Sequence, residues 1–287
     1  MSILNSIQYA MSHPLARKAR LRTISNIARW QIKSRLYSDA VVIPWIDGAN
    51  LTAKSGMVGA TGNLYFGLHE FADMAFLLHF LRSDDLFVDV GANVGTYTVL
   101  ASGARQANSI CFEPDPDTLL WLKKNIQNNK MGDRVDVISK AVGSQPGTVQ
   151  FSVGLDAINH VIDEKAPEEG SGRSMTVTTL DTELRNVHPN IIKIDVEGYE
   201  SEVVKGAQET FAKPSLRAIE LETVDNDLIT NLQNHGFKEY FYDPFSRTLR
   251  DRPGEIISHN SLFVRDLDFV IDRLKNAPLI NAMGQSF

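Results

Sequence analysis

The feature that most constrains the fold is the segment 86–97, which reads LFVDVGANVGTY. A short apolar run contains the acidic residue Asp89, passes through a turn with Gly91 and Gly95, and then enters a segment of helical pattern. A strand that feeds a helix through a glycine-containing turn is the first half of a crossover unit in a parallel sheet. Ligands of such sheets bind beyond the carboxyl ends of the strands, so this turn is predicted to lie at a ligand site.

The rest of the chain alternates between short apolar runs and helical segments. Strands are predicted at 86–90, 109–112, 135–138, 191–194, 216–221 and 261–264, and helices at 96–104, 116–128 and 200–211. This alternation implies a mostly parallel sheet with helices on both faces. An inserted β-hairpin is predicted from residues 148–153 and 175–179, with a polar connection near 163–172. Upstream, residues 41–67 are predicted to form strands and turns, and residues 68–81 a helix.

The spacing of the glycines distinguishes two classes of cofactor. A dinucleotide fingerprint requires Gly-x-Gly-x-x-Gly, because its second glycine lets the backbone contact the pyrophosphate. Asn93 occupies that position here, and Gly95 falls one residue too early for the third glycine. Asp89 would repel a pyrophosphate but attract an ammonium or a sulfonium group. The turn therefore favours S-adenosylmethionine over a nicotinamide dinucleotide, unless the glycines serve only the turn itself.

A second acidic residue, Glu113, ends the next predicted strand. A carboxylate at the end of the second strand of such a unit can accept hydrogen bonds from both hydroxyls of a ribose. Acidic residues also end strands for reasons of turn geometry. The combination with the preceding glycine turn favours a role in cofactor binding.

The segment 191–200, IIKIDVEGYE, repeats the pattern of strand, acidic turn and helix. Asp195 and Glu197 leave the carboxyl edge of the predicted sheet, and Tyr199 follows them. Methyl transfer depends on alignment of the reacting atoms, and a base near an acceptor hydroxyl helps to remove its proton. Two close carboxylates supply such a base, because repulsion and burial raise the proton affinity of at least one. The alternative is that Asp195 or Glu197 only caps the following helix.

Other candidate groups lie outside these motifs. His160, on the inserted segment, is either a second candidate base or a structural histidine. Glu220 and Glu222 alternate along a predicted buried strand, where acidic side chains need partners or a pocket. Together with Asp195 they offer oxygen ligands of the kind that hard cations prefer. Their spacing is not diagnostic, and no metal is predicted.

Four segments together resemble the FkbM family of methyltransferases. They are DVGANVG at 89–95, FEP at 112–114, AVG at 141–143 and IKIDVEGYE at 192–200. The resemblance covers roughly residues 64–265. It implies a class I methyltransferase fold, which is Rossmann-like α/β with a mostly parallel seven-stranded sheet and an antiparallel last strand near 261–264. It also implies O-methylation with S-adenosylmethionine of a hydroxyl on a sugar, a glycan or a small natural product.

The resemblance further implies which residues form the site. Those expected to line the cofactor are Asp89, Gly91, Ala92, Asn93, Gly95, Glu113 and the backbone near Ala141. Asp195 and Glu197 would border the transferred methyl group.

Basic residues are concentrated at the N-terminus. Residues 1–38 contain seven basic and no acidic residues, which leaves −13 for the remainder of a chain whose net charge is −6. Apolar residues recur there at helical spacing, at Leu21, Ile24, Ala28, Ile32 and Leu36. This arm is predicted either to lie on an anionic surface such as a membrane, or to pack on the body as a helix with a solvated basic face. The second interpretation is favoured, since the bases are spread around the helix.

The predicted organisation is a basic helical arm at 1–40, strands and a helix at 41–84, a methyltransferase domain at 85–270 and a C-terminal tail at 271–287. No apolar run approaches the roughly 18 residues of a membrane span, and the N-terminus lacks the pattern of a signal peptide. With a single cysteine the chain cannot form an internal disulfide, so a cytoplasmic location is expected.

The negative net charge argues against a nucleic-acid partner and leaves a small-molecule or glycan acceptor. Two other classes stay open, because one fold hosts many chemistries. They are a nicotinamide-dependent oxidoreductase and a non-catalytic module that docks on anionic surfaces through residues 1–38.

Overall fold

The computed structural model describes Tyr9 and residues 12–36, 40–54, 56–151, 173–255 and 258–287. The strands are β1 Val41–Pro44, β2 Asn50–Ala53, β3 Leu86–Val90, β4 Asn108–Phe112, β5 Val135–Ile138, β6 Ala141–Val142, β7 Gly147–Phe151, β8 Arg173–Thr178, β9 Ile191–Ile194, β10 Ala218–Leu221, β11 Lys238–Asp243, β12 Thr248–Arg250, β13 Ser261–Val264, β14 Asn281–Ala282 and β15 Gln285–Ser286. The helices are α1 Pro14–Lys18, α2 Arg20–Leu36, α3 Val58–Phe66, α4 Phe71–Phe80, α5 Thr96–Thr98, α6 Pro116–Asn128, α7 Leu180–Glu183, α8 Glu200–Lys205, α9 Gln208–Ala212, α10 Asn226–Asn234 and α11 Leu267–Lys275.

An eight-stranded sheet forms the centre of the fold, in the order β12-β11-β13-β10-β9-β3-β4-β5. The strands from β10 to β5 are parallel to one another, and β13 lies antiparallel between β10 and β11. The predicted mostly parallel sheet and the antiparallel strand at Ser261–Val264 are therefore confirmed. Seven strands are predicted and six are located in the sequence; the structure adds β11 and β12, which pair with each other across a short turn.

Helices cover both faces of this sheet, as the alternation of side chains along β3 shows. Phe87 packs in one hydrophobic cluster with Phe76 of α4. Its neighbour Val88 packs in a second cluster with Phe211 of α9. Successive residues of a strand point to opposite faces, so the two clusters are the two layers of a three-layer α/β fold.

The predicted hairpin is present as a separate small sheet. β7 pairs antiparallel with β8, and β6 pairs parallel with β8 on its other side. The predicted connection at 163–172 lies outside the described residues.

Local structure differs from the prediction in the region upstream of β3. Residues 58–66 form helix α3, where strands and turns are predicted. Two glycines weaken the helical signal of this segment, but Phe66 packs in a cluster with Trp30 and the tertiary contacts override that weakness. Gly62 is required here, because a Cβ atom would lie 2.7 Å from the ring of His69.

Two predicted helices are interrupted. The helix at 96–104 begins as α5 and continues as a π-helical segment, Val99–Ala104. The helix at 200–211 divides into α8 and α9 next to Gly206, where a Cβ atom would lie 2.1 Å from the carbonyl oxygen of Gly143. The break at Gly206 accommodates close packing that periodicity does not reveal.

The basic N-terminal segment forms α2, which packs on the body through Thr23, Ile27 and Trp30. The apolar stripe at positions 21, 24, 28, 32 and 36 faces solvent instead. The helix therefore packs through a face other than the one that its most regular apolar spacing indicates. None of the helices among the described residues combines the length and the apolar character needed to cross a bilayer.

Candidate active site

A cavity of about 240 Å³ opens at the carboxyl edge of the central sheet, beyond the ends of β3, β4 and β9. Most of the predicted site residues line it together, namely Asp89, Gly91, Ala92, Asn93, Glu113, Ala141, Asp195, Glu197 and Tyr199. Gly95 does not line it: it has a φ of +86°, and a Cβ atom there would lie 2.5 Å from Cδ1 of Leu122 on α6. Gly95 therefore allows the turn to pack on α6. His160 lies outside the described residues.

Gly91 is the point at which the turn after β3 touches the turn after β9. It has a φ of +80°, and a Cβ atom there would lie 1.8 Å from the carbonyl oxygen of Asp195. The amide of Asp195 in turn donates to the carbonyl of Val90 at 3.0 Å. No side chain fits between the two turns, so glycine sets the separation of the predicted cofactor residues from the predicted catalytic residues.

The amides of the turn after β3 are bonded within the protein. Gly91 and Ala92 both donate to the carbonyl of Phe112 at 3.0 Å. Asn93 donates its amide to Oε2 of Glu113 at 2.9 Å. These N–H groups point into the protein, whereas a dinucleotide site directs such groups at a pyrophosphate.

Asp89 and Glu113 are both buried acids at the edge of the cavity. Asp89 accepts a hydrogen bond from Oγ1 of Thr98 at 2.6 Å, and burial raises its pKa to about 6 although Lys193 opposes the rise. Glu113 accepts one backbone amide on each oxygen, from Asn93 and from Asp115. Burial raises the pKa of Glu113 to about 7. Each carboxylate oxygen keeps further acceptor capacity for a ligand.

Lys193 is a buried cation on β9, between the cofactor residues and the acidic turn. Its Nζ atom pairs with Asp195 and lies 4.6 Å from the centroid of the Tyr97 ring. Burial acts to lower the pKa of Lys193, but the carboxylates of Asp195, Glu70 and Asp89 raise it above its ordinary value. The same pairing holds the pKa of Asp195 below its ordinary value, against the opposing effect of burial.

Glu222, directly after β10, completes a group of three acids. One carboxylate oxygen from each of Asp195, Glu197 and Glu222 lies within 4.8 Å of the others. Glu222 shares a hydrogen bond with Asp195. Partial burial and the negative charge of Asp195 raise the pKa of Glu222 to about 8. At neutral pH Glu222 therefore carries the proton that this pair of carboxyl groups shares.

Glu200 stabilises the turn after β9, whereas Asp195 and Glu197 are the acids that the sequence offers as possible helix caps. Oε1 of Glu200, a buried residue, accepts the amides of Val196 at 3.2 Å and of Gly198 at 3.3 Å. Glu197 stands between them with a φ of +52°. This strained backbone turns the acidic segment toward the cavity, while Glu200 fixes the loop behind it.

One wall of the cavity comes from residues upstream of the family-like motifs. His69, Glu70 and Met74 line it. The hydroxyl of Tyr97 donates to Oε2 of Glu70 at 2.5 Å, and Asn260 donates to the same oxygen at 3.3 Å. This wall carries no sequence motif. By contrast, Lys193 is detectable in the sequence, because a lysine interrupts an otherwise apolar strand. Glu222 is predicted from the sequence only as an acid that needs a partner or a pocket, or as an oxygen ligand beside Asp195.

The comparisons with known proteins identify a methyltransferase family. A family model described as "Methyltransferase FkbM domain" matches residues 89–239. Hexuronic acid methyltransferase AglP of Haloferax volcanii is 30% identical over 206 residues, which cover 70% of this chain and 75% of that protein.

Solved structures resemble the chain more distantly. A methyltransferase from Agrobacterium tumefaciens whose name describes it as dependent on S-adenosylmethionine gives a TM-score of 0.45 at 9% identity, over 79% of this chain and 70% of that one. TYW2 of M. jannaschii in complex with AdoMet gives a TM-score of 0.39 at 13% identity, over 80% of this chain and 88% of that one.

The strand order and the matched motifs define a methyltransferase domain with the class I fold. The chain belongs to the FkbM methyltransferase family.

Proposed function

We propose that this protein is an S-adenosylmethionine-dependent O-methyltransferase that acts on a hydroxyl of a sugar or glycan. The charge of the cavity is the observation that carries the choice of cofactor. Among the described residues, acidic residues outnumber lysines in the cavity lining even with Glu222 protonated: Glu70, Asp89, Glu113, Asp115, Asp195, Glu197 and Glu222 lie there beside Lys140 and Lys193. Such a surface attracts a ligand with a sulfonium and an ammonium group and repels a pyrophosphate.

The hydrogen bonds of the glycine turn support the same cofactor. In a dinucleotide site the turn offers free amides to the phosphates. Here the turn uses its amides within the protein: those of Gly91 and Ala92 donate to the carbonyl of Phe112, and that of Asn93 donates to the carboxylate of Glu113. Glu113 would accept hydrogen bonds from the two hydroxyls of a ribose, a group that both cofactors share. The features that favour S-adenosylmethionine over a nicotinamide dinucleotide are therefore the bonded amides of the turn and the charge of the cavity.

Bound S-adenosylmethionine would supply an electrophilic methyl group, and this chain's residues would orient the acceptor and remove its proton. Partial burial and the negative charge of Asp195, which Lys193 holds in place, raise the pKa of Glu222 to about 8. A general base works best when its pKa lies near the working pH, so Glu222 is the better base of the two. Asp195 and Lys193 act as positioning residues, and Glu197 and Tyr199 border the acceptor.

A polyhydroxylated acceptor is supported by the polar wall of the cavity and by the relative. The wall offers Glu70 and His69, and the rest of the cavity lining offers further carboxyl groups and two lysines, all of which can hydrogen-bond to hydroxyl groups. AglP is named for methyl transfer to a hexuronic acid. We expect labelled methyl groups to appear on uronic acid glycosides when these are incubated with the protein and S-adenosylmethionine. A labelled methyl group that stays on the product in mild alkali identifies a methyl ether. Release of the label as methanol identifies a methyl ester and contradicts methylation of a hydroxyl.

The cofactor is tested by thermal unfolding with S-adenosylhomocysteine and with NADH as the matched control. Ligand at about 100 times its dissociation constant adds about 2.7 kcal/mol to the free energy of unfolding. At about 2–4 °C per kcal/mol for a chain of this size, the midpoint should rise by roughly 5–10 °C. A rise with S-adenosylhomocysteine alone supports the proposal. A rise of the midpoint with NADH alone would contradict the proposal and favour a nicotinamide-dependent oxidoreductase.

Removal of divalent cations is expected to leave kcat unchanged. The carboxyl groups of Asp195, Glu197 and Glu222 resemble a cation site in spacing. However, Lys193 and the proton on Glu222 already compensate their charge, so the cluster gains less from a cation than three ionised carboxylates would. The measurement is kcat before and after dialysis against EDTA. A loss that added Mg²⁺ restores would show that the acids hold a metal.

A further inference from the structure

Helix α2 exposes a continuous apolar stripe to solvent. Its four large apolar residues there are Leu21, Ile24, Ile32 and Leu36, which are 86%, 61%, 59% and 73% exposed. Three- and four-residue spacings place them on one side of the helix, with the small Ala28 between them. A stripe of this length is unusual for a surface that faces only water, where large apolar residues are scattered singly.

The opposite side of α2 fixes the helix to the body. Ile27 and Trp30 are buried in a cluster with Phe66 of α3. The side chain of Gln31 donates to the hydroxyl of Tyr65 at 3.0 Å. The exposed stripe is therefore held outward by packing on the other face, and it is not left over from a loosely attached helix.

Five exposed basic residues surround the stripe, and the helix has no acidic residue. Arg22, Arg29 and Lys33 lie along one side of the stripe, Arg20 lies on the other side, and Arg35 lies within its width. In the part of the chain that the structure describes, no carboxylate forms an ion pair with any of these five side chains. The rest of the chain is strongly acidic, so this cluster of unpaired cations is a local feature of the arm.

A groove of about 590 Å³ runs along one flank of α2. Arg22, Arg29 and Lys33 line it together with the rings of Trp30 and Trp45, and no carboxylate lies among its described lining residues. Three cations that converge on a groove beside an apolar stripe suit an anionic headgroup next to acyl chains.

We propose that α2 docks in the plane of an anionic phospholipid membrane, with the apolar stripe inserted and the flanking bases on the headgroups. The helix has the apolar face and the basic flanks of interfacial helices. Pairing of two copies through this face would bring five cations of each chain together, which disfavours a symmetric dimer. This surface lies on the arm, outside the matched family segment 89–239, and the inference does not depend on the proposed methyl transfer.

The test is co-sedimentation of the full chain with vesicles. We expect binding to vesicles with about 30% phosphatidylglycerol in phosphatidylcholine, and no binding to pure phosphatidylcholine, because each base near the surface contributes to attraction. Binding should be lost in about 1 M salt, where the Debye length falls to about 3 Å. Binding of equal strength to both kinds of vesicle would overturn the proposal.

Two triple variants separate the contributions of the surface. R22Q/R29Q/K33Q is expected to lower the partition coefficient by about 100-fold, at about a factor of five per base. L21S/I24S/I32S is expected to lower it by at least about 100-fold through lost apolar burial. The replaced side chains are exposed, and only the arginine stems pack along the groove, so the fold should persist. Unchanged far-UV circular dichroism and an unchanged thermal midpoint would verify that both variants are folded.

Matched controls lie elsewhere on the surface. L279S removes an apolar side chain that is 67% exposed, and K275Q removes an exposed base on α11. Both should bind vesicles as the wild type does. Wild-type binding by either triple variant would overturn the proposal. So would a concentration-dependent dimer in the absence of lipid that L21S/I24S/I32S abolishes, because a second copy would then occupy the stripe.

Discussion

Replacement of Glu222 with glutamine is expected to lower kcat by about 10²- to 10⁴-fold, the usual contribution of a general base. Glutamine keeps the size and a hydrogen bond to Asp195 but cannot take up a proton. The affinity for S-adenosylhomocysteine should change little, because Glu222 lies after β10 while the predicted cofactor residues follow β3 and β4. The measurement is kcat with a methylated sugar product, beside ligand affinity by calorimetry.

The pH profile makes this expectation specific. Glu222 has a pKa of about 8, so it is protonated below that pH and ionised above it. If the ionised form accepts the proton of the acceptor, kcat of the wild type rises as the pH rises through about 8 and then levels off. Glu222→Gln should lose that rise, whereas Glu209→Gln, an exposed control on α9, should keep it. An unchanged kcat and an unchanged profile in Glu222→Gln would place the base elsewhere.

Replacement of Gly91 with alanine is expected to weaken binding of S-adenosylhomocysteine by about 100-fold or more. The added Cβ atom would lie 1.8 Å from the carbonyl oxygen of Asp195, so one of the two turns must move. Misplacement by about 1 Å costs roughly two orders of magnitude in reaction rate at an active site, and we expect a loss of similar size in the affinity for a cofactor that the displaced turn holds. Calorimetric titration measures the affinity, and thermal unfolding measures the accompanying loss of stability.

Gly48→Ala is the matched control for backbone strain. Gly48 has a φ of +84°, close to that of Gly91, but a Cβ atom there meets no atom within 4 Å. The substitution should lower the free energy of unfolding by only the roughly 1–2 kcal/mol that a left-handed conformation costs a non-glycine residue. The affinity for S-adenosylhomocysteine should stay unchanged. Wild-type affinity in Gly91→Ala would show that the contact between the two turns is not needed for binding.

The parts of the fold that follow from local signals agree with the sequence. Helix α6 begins and ends where its pattern predicts. Pro116 opens it, and the side chain of Asp115 accepts the amide of Thr118 at 3.0 Å, as an N-cap does. The turns after β3 and β9 likewise carry their acids to the carboxyl edge of the sheet. These signals act within a few residues of the chain, so the sequence alone reveals them.

The sequence groups Glu222 with Asp195 only as possible oxygen ligands, and it does not reveal which acids share a proton. Asp195 and Glu197 are neighbours in the chain, yet the group that shares a proton with Asp195 is Glu222, from the adjacent strand. The polar wall at His69 and Glu70 has no motif at all. Which strand ends meet, and which side chains then perturb one another's pKa, depends on sheet order and register.

The orientation of α2 shows the same division. Its sequence offers two apolar faces, the regular stripe that includes Ile24 and Ile32, and the narrower face with Ile27 and Trp30. Periodicity establishes that the segment is an amphipathic helix, but either face satisfies that pattern. The body selects the second face, because Trp30 fits against Phe66 of α3.

The sequence by itself thus determined the alternation of strands and helices, the glycine turn and the acids at the strand ends. Each of these depends on side-chain period, capping or backbone freedom, which are properties of neighbouring residues. Only the tertiary structure decided that Glu222 joins Asp195 and that α2 turns its apolar stripe to solvent. Those outcomes depend on packing between segments far apart in the chain, where shape complementarity and long-range contacts, and not local pattern, set the lowest free energy.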